Sequence, residues 1–196
     1  MTKELLRKFI HLSGIWNIIG FMLISEFIGE RAAFLVLTFV LLLFLELEYL
    51  RVEHKLMSIP PNLNIFRKKE QSHFAGHIYM TLAAIVCFAA FSRVIAAAAL
   101  SMTIIGDIAA ALIGKRFGKH KFIFSNKTLE GTVAGFAANI GVGWLFLSDV
   151  NDRWLLLIVM AAVASLVEVF TQKLDDNLTV AIFAGAAGQL LLLLAR

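Results

Sequence analysis

The chain has little of what a soluble domain of its size needs. Only 16% of its 196 residues are charged and 60% are hydrophobic. Soluble domains average about 25% charged and roughly 45–50% apolar residues. One cysteine and two prolines exclude an intramolecular disulfide scaffold and a proline-rich disordered chain. The class that remains is an integral membrane protein, because a soluble domain of this length cannot bury so much apolar surface.

Long apolar stretches alternate with short charged segments along the chain. A bilayer-spanning helix needs about 20 apolar residues, and these stretches do not show the two-residue alternation of a barrel strand. The sequence therefore predicts an all-α polytopic membrane helix bundle of about seven transmembrane helices. We expect a single integral-membrane catalytic domain over residues 1–196. The predicted spans are 9–28, 32–50, 74–92, 94–113, 129–148, 154–171 and 178–195.

Basic residues are distributed unevenly between the two ends of these spans. The N-terminal segment and the segments after the second, fourth and sixth spans hold 14 Lys and Arg, whereas the opposite side holds 4. Because basic residues are enriched in cytoplasmic loops, the count predicts a cytoplasmic N-terminus and an external C-terminus. The same loops account for the net charge of +4, so we expect no nucleic-acid partner. The sequence is compatible with a homo-oligomer but does not predict one.

The side chains that could bind a ligand or take part in a reaction are concentrated between positions 105 and 135. Asp107 lies in an apolar predicted helix, a basic segment punctuated by Gly114 and Gly118 follows, and Thr128 opens the next helix. A carboxylate at membrane depth is costly and is a functional candidate. Free N–H groups at a helix start favour an anion, and a nearby carboxylate can hold Mg²⁺ together with substrate phosphates. The basic residues of the segment are Lys115, Arg116, Lys119, His120, Lys121 and Lys127.

Spacing alone leaves two interpretations of this segment open. One is a site for a nucleoside triphosphate or diphosphate at the membrane surface. The other is a basic cytoplasmic loop beside a buried Asp with a structural role. The pattern GxxxxGK[ST] is absent, so the segment is not a Walker loop. An anion transporter, from another class, would carry charges near the bilayer midplane and on both sides, whereas these charges gather at one side.

Three short patterns in the segment resemble a known signature. They are Gly106-Asp107-Ile108-Ala109-Ala110, Gly114-Lys115-Arg116-Phe117-Gly118-Lys119 and Lys127-Thr128-Leu129-Glu130-Gly131. The signature is shared by CTP-dependent lipid enzymes, namely the polyprenol/dolichol and phytol kinases and the related phosphatidate cytidylyltransferases. The resemblance is specific for this superfamily, but these patterns do not separate its two chemistries.

The two ends of the chain favour the kinase branch. Residues 7–11, Arg-Lys-Phe-Ile-His, resemble the Arg-Lys-x-x-His opening of the dolichol and phytol kinases. Residues 175–179, Asp-Asp-Asn-Leu-Thr, are similar to the stretch before the last helix of those kinases. Ala181 departs from the pattern, since a Pro is common there. The Pro-Gly-His-Gly-Gly of the cytidylyltransferase ending is absent.

The resemblance implies a CTP-dependent kinase that phosphorylates the hydroxyl of a membrane lipid alcohol at the cytoplasmic face. The alcohol would be a polyprenol, a dolichol or a phytol-like isoprenoid. CTP would be the phosphoryl donor, Mg²⁺ the cofactor, and a prokaryotic cell (inner) membrane the location. The alternatives are a CDP-lipid synthase like the phosphatidate cytidylyltransferases and, from another class, the anion transporter.

The resemblance also assigns expected roles to individual residues. The expected catalytic carboxylates are Asp107, Glu130, Glu168 and Asp176. One of Glu130, Glu168 and Asp176 is expected to act on the lipid hydroxyl. The expected metal ligands are Asp107, Asp175 and Asp176. The expected nucleotide or phosphate contacts are Arg7, His11, Lys115, Lys119, Lys121, Lys127, Thr128, Gly131 and Asn177.

Overall fold

The computed structural model describes residues 14–53, 75–123, 125, 127–148, 153–171 and 174–195. Within these ranges the regular structure is helical, which confirms the all-helical prediction for the described part of the chain. Each of the seven predicted stretches has a described helix in its place. These helices are α1 Ile15–Phe27, α2 Glu30–Glu53, α3 Gly76–Ala90, α4 Arg93–Phe117, α5 Leu129–Phe146, α6 Arg153–Phe170 and α7 Asp176–Leu194.

Four of the described helices are long and apolar enough to cross a membrane, which indicates a membrane protein. They are Glu30–Leu50 within α2, and α4, α6 and α7. The helices α1 and α3 are apolar but shorter, and α5, which carries Glu130, Asn139 and four glycines, is not among the four. Large apolar side chains such as Leu155 and Leu190 remain exposed, as contact with lipid allows. The seven-span count and the sides of the termini stay predictions.

The chain divides into two compact units, Met1–Ile85 and Val86–Arg196. In the first unit α1 packs on α2, with the rings of Phe21 and Phe34 edge to face and their centroids 5.0 Å apart. Every candidate site residue that the structure describes lies in the second unit. The assignment of residues 1–196 to a single domain stays a prediction.

The second unit is built around α4, which contacts α5, α6 and α7. Its buried run from Ala96 to Leu100 consists mostly of alanine, and small side chains let helices approach closely. The core between these helices includes Met102, Leu157 and Met160. The C-terminal part of α4 lies against the start of α5, where a Cβ at Gly131 would meet the carbonyl of Ala110 and the Cα of Gly114.

The C-terminal end of α4 extends further than the sequence pattern predicts. The prediction ends this span at residue 113 and places Gly114 in a loop, but the helix continues through Lys115 and Arg116 to Phe117. The loop assignment of Gly114 is wrong because this glycine serves helix packing. A Cβ at Gly114 would lie 2.8 Å from Thr128 Oγ1, so a glycine permits the two helix ends to meet. Its lower helix propensity is outweighed by this close contact.

Candidate functional site

The described residues between α4 and α5, which are 118–123, 125, 127 and 128, fold back on one another before α5 begins. Lys121 and Thr128 form an isolated antiparallel bridge, and the N–H of Leu129 donates a hydrogen bond of 2.9 Å to the carbonyl of His120. These backbone contacts fix the basic loop against the start of the helix. The basic residues therefore lie beside a helix N-terminus, as the sequence predicts.

Thr128 ends the loop and caps α5. Its backbone is extended, its side chain is buried, and its Oγ1 accepts a hydrogen bond of 3.2 Å from the N–H of Gly131. Such a cap satisfies one of the four N–H groups that a helix start leaves without an intrahelical partner. The N–H of Leu129 donates to His120 and that of Thr132 donates to the carbonyl of Thr128, so most N–H groups of the first turn already have acceptors within the protein.

Glu130 ties the loop to the first turn of α5 through His120. Its Oε1 lies 2.7 Å from His120 Nδ1, and the backbone N–H of His120 donates to both carboxylate oxygens, at 3.2 and 3.3 Å. The sequence-based selection of site residues did not include His120. The two residues are 10 positions apart, and only the reversal of the loop brings them together.

An ion cluster is formed by Asp107 in the interior of α4, Lys127 near the end of the loop, Glu168 near the end of α6 and Asp176 at the start of α7. Lys127 Nζ is 2.7 Å from Glu168 Oε1 and 3.5 Å from Asp176 Oδ2. Burial alone would lower the pKa of Lys127, but attraction by Glu168, Asp176 and Asp107 raises this pKa above its usual range. The structure thus brings together four candidate residues that are far apart in sequence.

The remaining candidates include a helix cap, three exposed lysines and two residues outside the described part of the chain. Asp175, a predicted metal ligand, caps α7: its Oδ1 accepts a hydrogen bond of 3.0 Å from the N–H of Asn177, which is buried. The predicted phosphate contacts Lys115, Lys119 and Lys121 are exposed, as are the neighbouring Arg116 and His120. Arg7 and His11 lie outside the described residues.

Asn139 is a buried polar residue of α5 that the sequence reasoning did not select. Its Nδ2 donates to Ser165 Oγ at 3.4 Å, and its Oδ1 has no hydrogen-bond partner within the described part of the chain. A Cβ at Gly106 would meet the Asn139 amide, so the amide is held between α4 and α6. Its neighbour on α4, Gly106, directly precedes Asp107, and its neighbour on α6, Ser165, lies three residues before Glu168. A polar side chain in a glycine-rich apolar helix was the available sequence signal.

The ion cluster supplies the oxygen ligands that a hard divalent cation takes. Among the described residues, no group of three or more His, Cys, Asp or Glu side chains is placed to hold a metal ion by itself. Mg²⁺ usually takes one or two carboxylates and completes its shell with water and substrate phosphates. Asp107, Glu168 and Asp176 around one cationic group fit a divalent cation that arrives with a nucleotide better than one that binds alone.

The fold and this ion cluster indicate a helical membrane protein with a polar site between α4 and the neighbouring ends of α6 and α7. The chain matches the model of the cytidylyltransferase family over residues 4–173, and it belongs to this family. It is 32% identical over 112 residues to "Farnesol kinase, chloroplastic" of Arabidopsis thaliana. The alignment covers 51% of this chain and 36% of that protein. No solved structure matches the chain. The predicted family relationship is confirmed.

Proposed function

We propose that this chain is a CTP-dependent kinase that phosphorylates the hydroxyl of an isoprenoid alcohol at the cytoplasmic face of a membrane. The observation that carries the proposal is the convergence of Asp107, Lys127, Glu168 and Asp176 beside the start of α5. The relative named as a farnesol kinase supports an isoprenoid alcohol as the substrate class. The family description supports a cytidine nucleotide.

Positioning and charge stabilisation are the main tasks of a protein that transfers a phosphoryl group. The ammonium groups of Lys115, Lys119 and Lys121 give the loop a positive face that attracts the triphosphate. The N–H groups of Leu129 and Gly131 in the first turn of α5 already donate to His120 and Thr128, so phosphate binding in the proposal rests on these ammonium groups. Asp107 and Asp176 would hold the Mg²⁺, which when bound neutralises charge on the transferred group.

A carboxylate must orient or deprotonate the lipid hydroxyl before it attacks the phosphoryl group. Both oxygens of Glu130 accept hydrogen bonds from His120, which favours a positioning role for this carboxylate. Glu168 and Asp176 lie together at the ends of α6 and α7. In the proposal the hydroxyl is received by one of these two carboxylates, and the lipid tail lies between the helices towards the bilayer.

Replacing Glu130 distinguishes these roles. We expect Glu130→Gln to reduce kcat by less than about tenfold and to raise KM for CTP, because the variant loosens the loop without removing the reacting base. Loss of a general base typically costs about 10²–10⁴-fold. Steady-state kinetics of lipid phosphorylation measure both constants. His120→Ala is the companion variant: it removes the contact from Nδ1 but keeps the backbone N–H of residue 120 that donates to Glu130, so KM for CTP is expected to rise in the same direction by a smaller amount. A loss of kcat above a hundredfold in Glu130→Gln alone would restore Glu130 as the base.

The proposed activity is tested with CTP labelled at the γ-phosphate and a panel of isoprenoid alcohols in detergent or lipid vesicles. We expect label in a lipid monophosphate and CDP as the second product. The cytidylyltransferase description of the family makes a CDP-lipid synthase the second candidate. That enzyme would transfer label from the α-phosphate only and release pyrophosphate. Anion flux through protein-containing vesicles without nucleotide, with no labelled lipid, would favour a transporter.

A further inference from the structure

The ammonium group of Lys127 lies between two carboxylates that belong to different helices. Its Nζ is 2.7 Å from Glu168 Oε1 and 3.5 Å from Asp176 Oδ2, and the three side chains are 29%, 9% and 29% exposed. Both carboxylates are fixed at helix ends, whereas the lysine reaches them from the loop on a flexible four-carbon stem. The lysine is therefore the partner that can leave.

This arrangement requires a positive charge whether or not a nucleotide is bound. Glu168, Asp176 and Asp107 all attract the same ammonium, and removing one partner of a buried ion pair is strongly destabilising because the other charge is left uncompensated. A divalent cation and the ammonium compete for the same carboxylates, because like charges at contact distance in a partly buried site repel each other strongly. One cation must leave when the other enters.

We propose that Lys127 is a resident counter-cation that stays beside Glu168 and Asp176 until a divalent cation, held by Asp107 and Asp176, arrives with the nucleotide. Lys127 then turns towards the nucleotide phosphates, so the carboxylates and the ammonium each keep an oppositely charged partner. This inference rests on the proposed function, because it assigns the incoming cation to the nucleotide. Lys127 is in this sense a positioning residue that keeps the divalent cation from binding ahead of the nucleotide.

The test measures binding of Mn²⁺ alone to the detergent-solubilised full chain, with free Mn²⁺ followed by electron paramagnetic resonance. We expect Lys127→Gln to bind Mn²⁺ at least about tenfold more tightly than the unmodified chain, because the competing charge is gone. Lys127→Arg keeps the charge and is expected to bind Mn²⁺ as weakly as the unmodified chain. Lys119→Gln is the matched control, since it removes one charge from an exposed position of the same loop and is expected to leave Mn²⁺ affinity unchanged.

An unchanged or weaker Mn²⁺ affinity in Lys127→Gln would show that the lysine is a structural ion-pair partner only, and would overturn the inference. If that variant does not fold, the unmodified chain provides the measurement. Labelling with an amine-reactive reagent, read by peptide mass spectrometry, is expected to increase at Lys127 but not at Lys119 as Mn²⁺ approaches saturation. Equal labelling with and without Mn²⁺ overturns the inference.

These experiments use neither CTP nor a lipid substrate, so their results test the cation exchange independently of the proposed kinase activity. A chain that exchanges Lys127 for Mn²⁺ but transfers no γ-phosphate contradicts the proposed kinase activity. A chain that phosphorylates lipid but shows no tighter Mn²⁺ binding in Lys127→Gln contradicts the cation exchange.

Discussion

Asp107→Asn abolishes lipid phosphorylation and leaves a folded protein: this is the expected result of removing one charge from the ion cluster. The side chain keeps its size, and Lys127 keeps its contacts with Glu168 and Asp176. What is lost is the negative charge that α4 contributes beside the ammonium. Removing one preorganised electrostatic contact to a transition state typically lowers kcat by about 10²–10³-fold. We therefore expect at least a roughly hundredfold loss.

The measurement is the incorporation of γ-labelled phosphate from CTP into lipid, together with thermal unfolding in detergent. Glu53→Gln is the matched control because it removes one carboxylate charge at an exposed helix end outside the ion cluster. It is expected to retain the activity and the unfolding midpoint of the unmodified chain. Full activity in Asp107→Asn would remove this carboxylate from the reaction.

Gly131→Ala is expected to give the largest loss of stability among the glycine variants of α5. A Cβ at this position would lie 2.6 Å from the carbonyl oxygen of Ala110 and 3.1 Å from the Cα of Gly114. Both are backbone atoms of α4, so relief requires the two helices to separate. Overpacking of this kind typically destabilises by about 1–3 kcal/mol. Because Lys127 lies directly before the start of α5, we also expect lipid phosphorylation to fall.

Gly141→Ala provides the comparison on the same helix. A Cβ at Gly141 would meet no atom within 4 Å, and alanine stabilises a helix interior by up to about 1 kcal/mol relative to glycine. We expect its thermal unfolding midpoint in detergent to equal or exceed that of the unmodified chain, whereas the midpoint of Gly131→Ala falls. Equal midpoints for the two variants would contradict the packing role of Gly131.

The sequence predicts where the helices lie with useful accuracy because apolar run length is a local property. The predicted start at residue 129 agrees with α5 Leu129–Phe146, and the predicted start at 154 is one residue from α6 Arg153–Phe170. The end of α4 was missed because Gly114 acts as a breaker in a local pattern. In the fold it is the residue that lets Thr128 approach.

For the site, the sequence supplied the candidates but not their partners. A charged residue in an apolar stretch stands out locally, which is why Asp107 and Glu168 were selected. Whether Asp175 and Asp176 act alike was not visible. In the structure Asp175 caps α7, while the neighbouring side chain of Asp176 reaches Lys127, because successive residues at a helix start point in different directions.

Composition and the spacing of apolar runs alone determined that this is a helical membrane protein, and the short patterns around residues 106–131 determined the family to compare it with. Tertiary structure alone decided that Lys127 pairs with Glu168, 41 residues away, and that Glu130 pairs with His120. Apolar runs form helices through contacts within a few residues. Ion pairs between distant segments depend on distances through space, which the packing of α5, α6 and α7 around α4 sets.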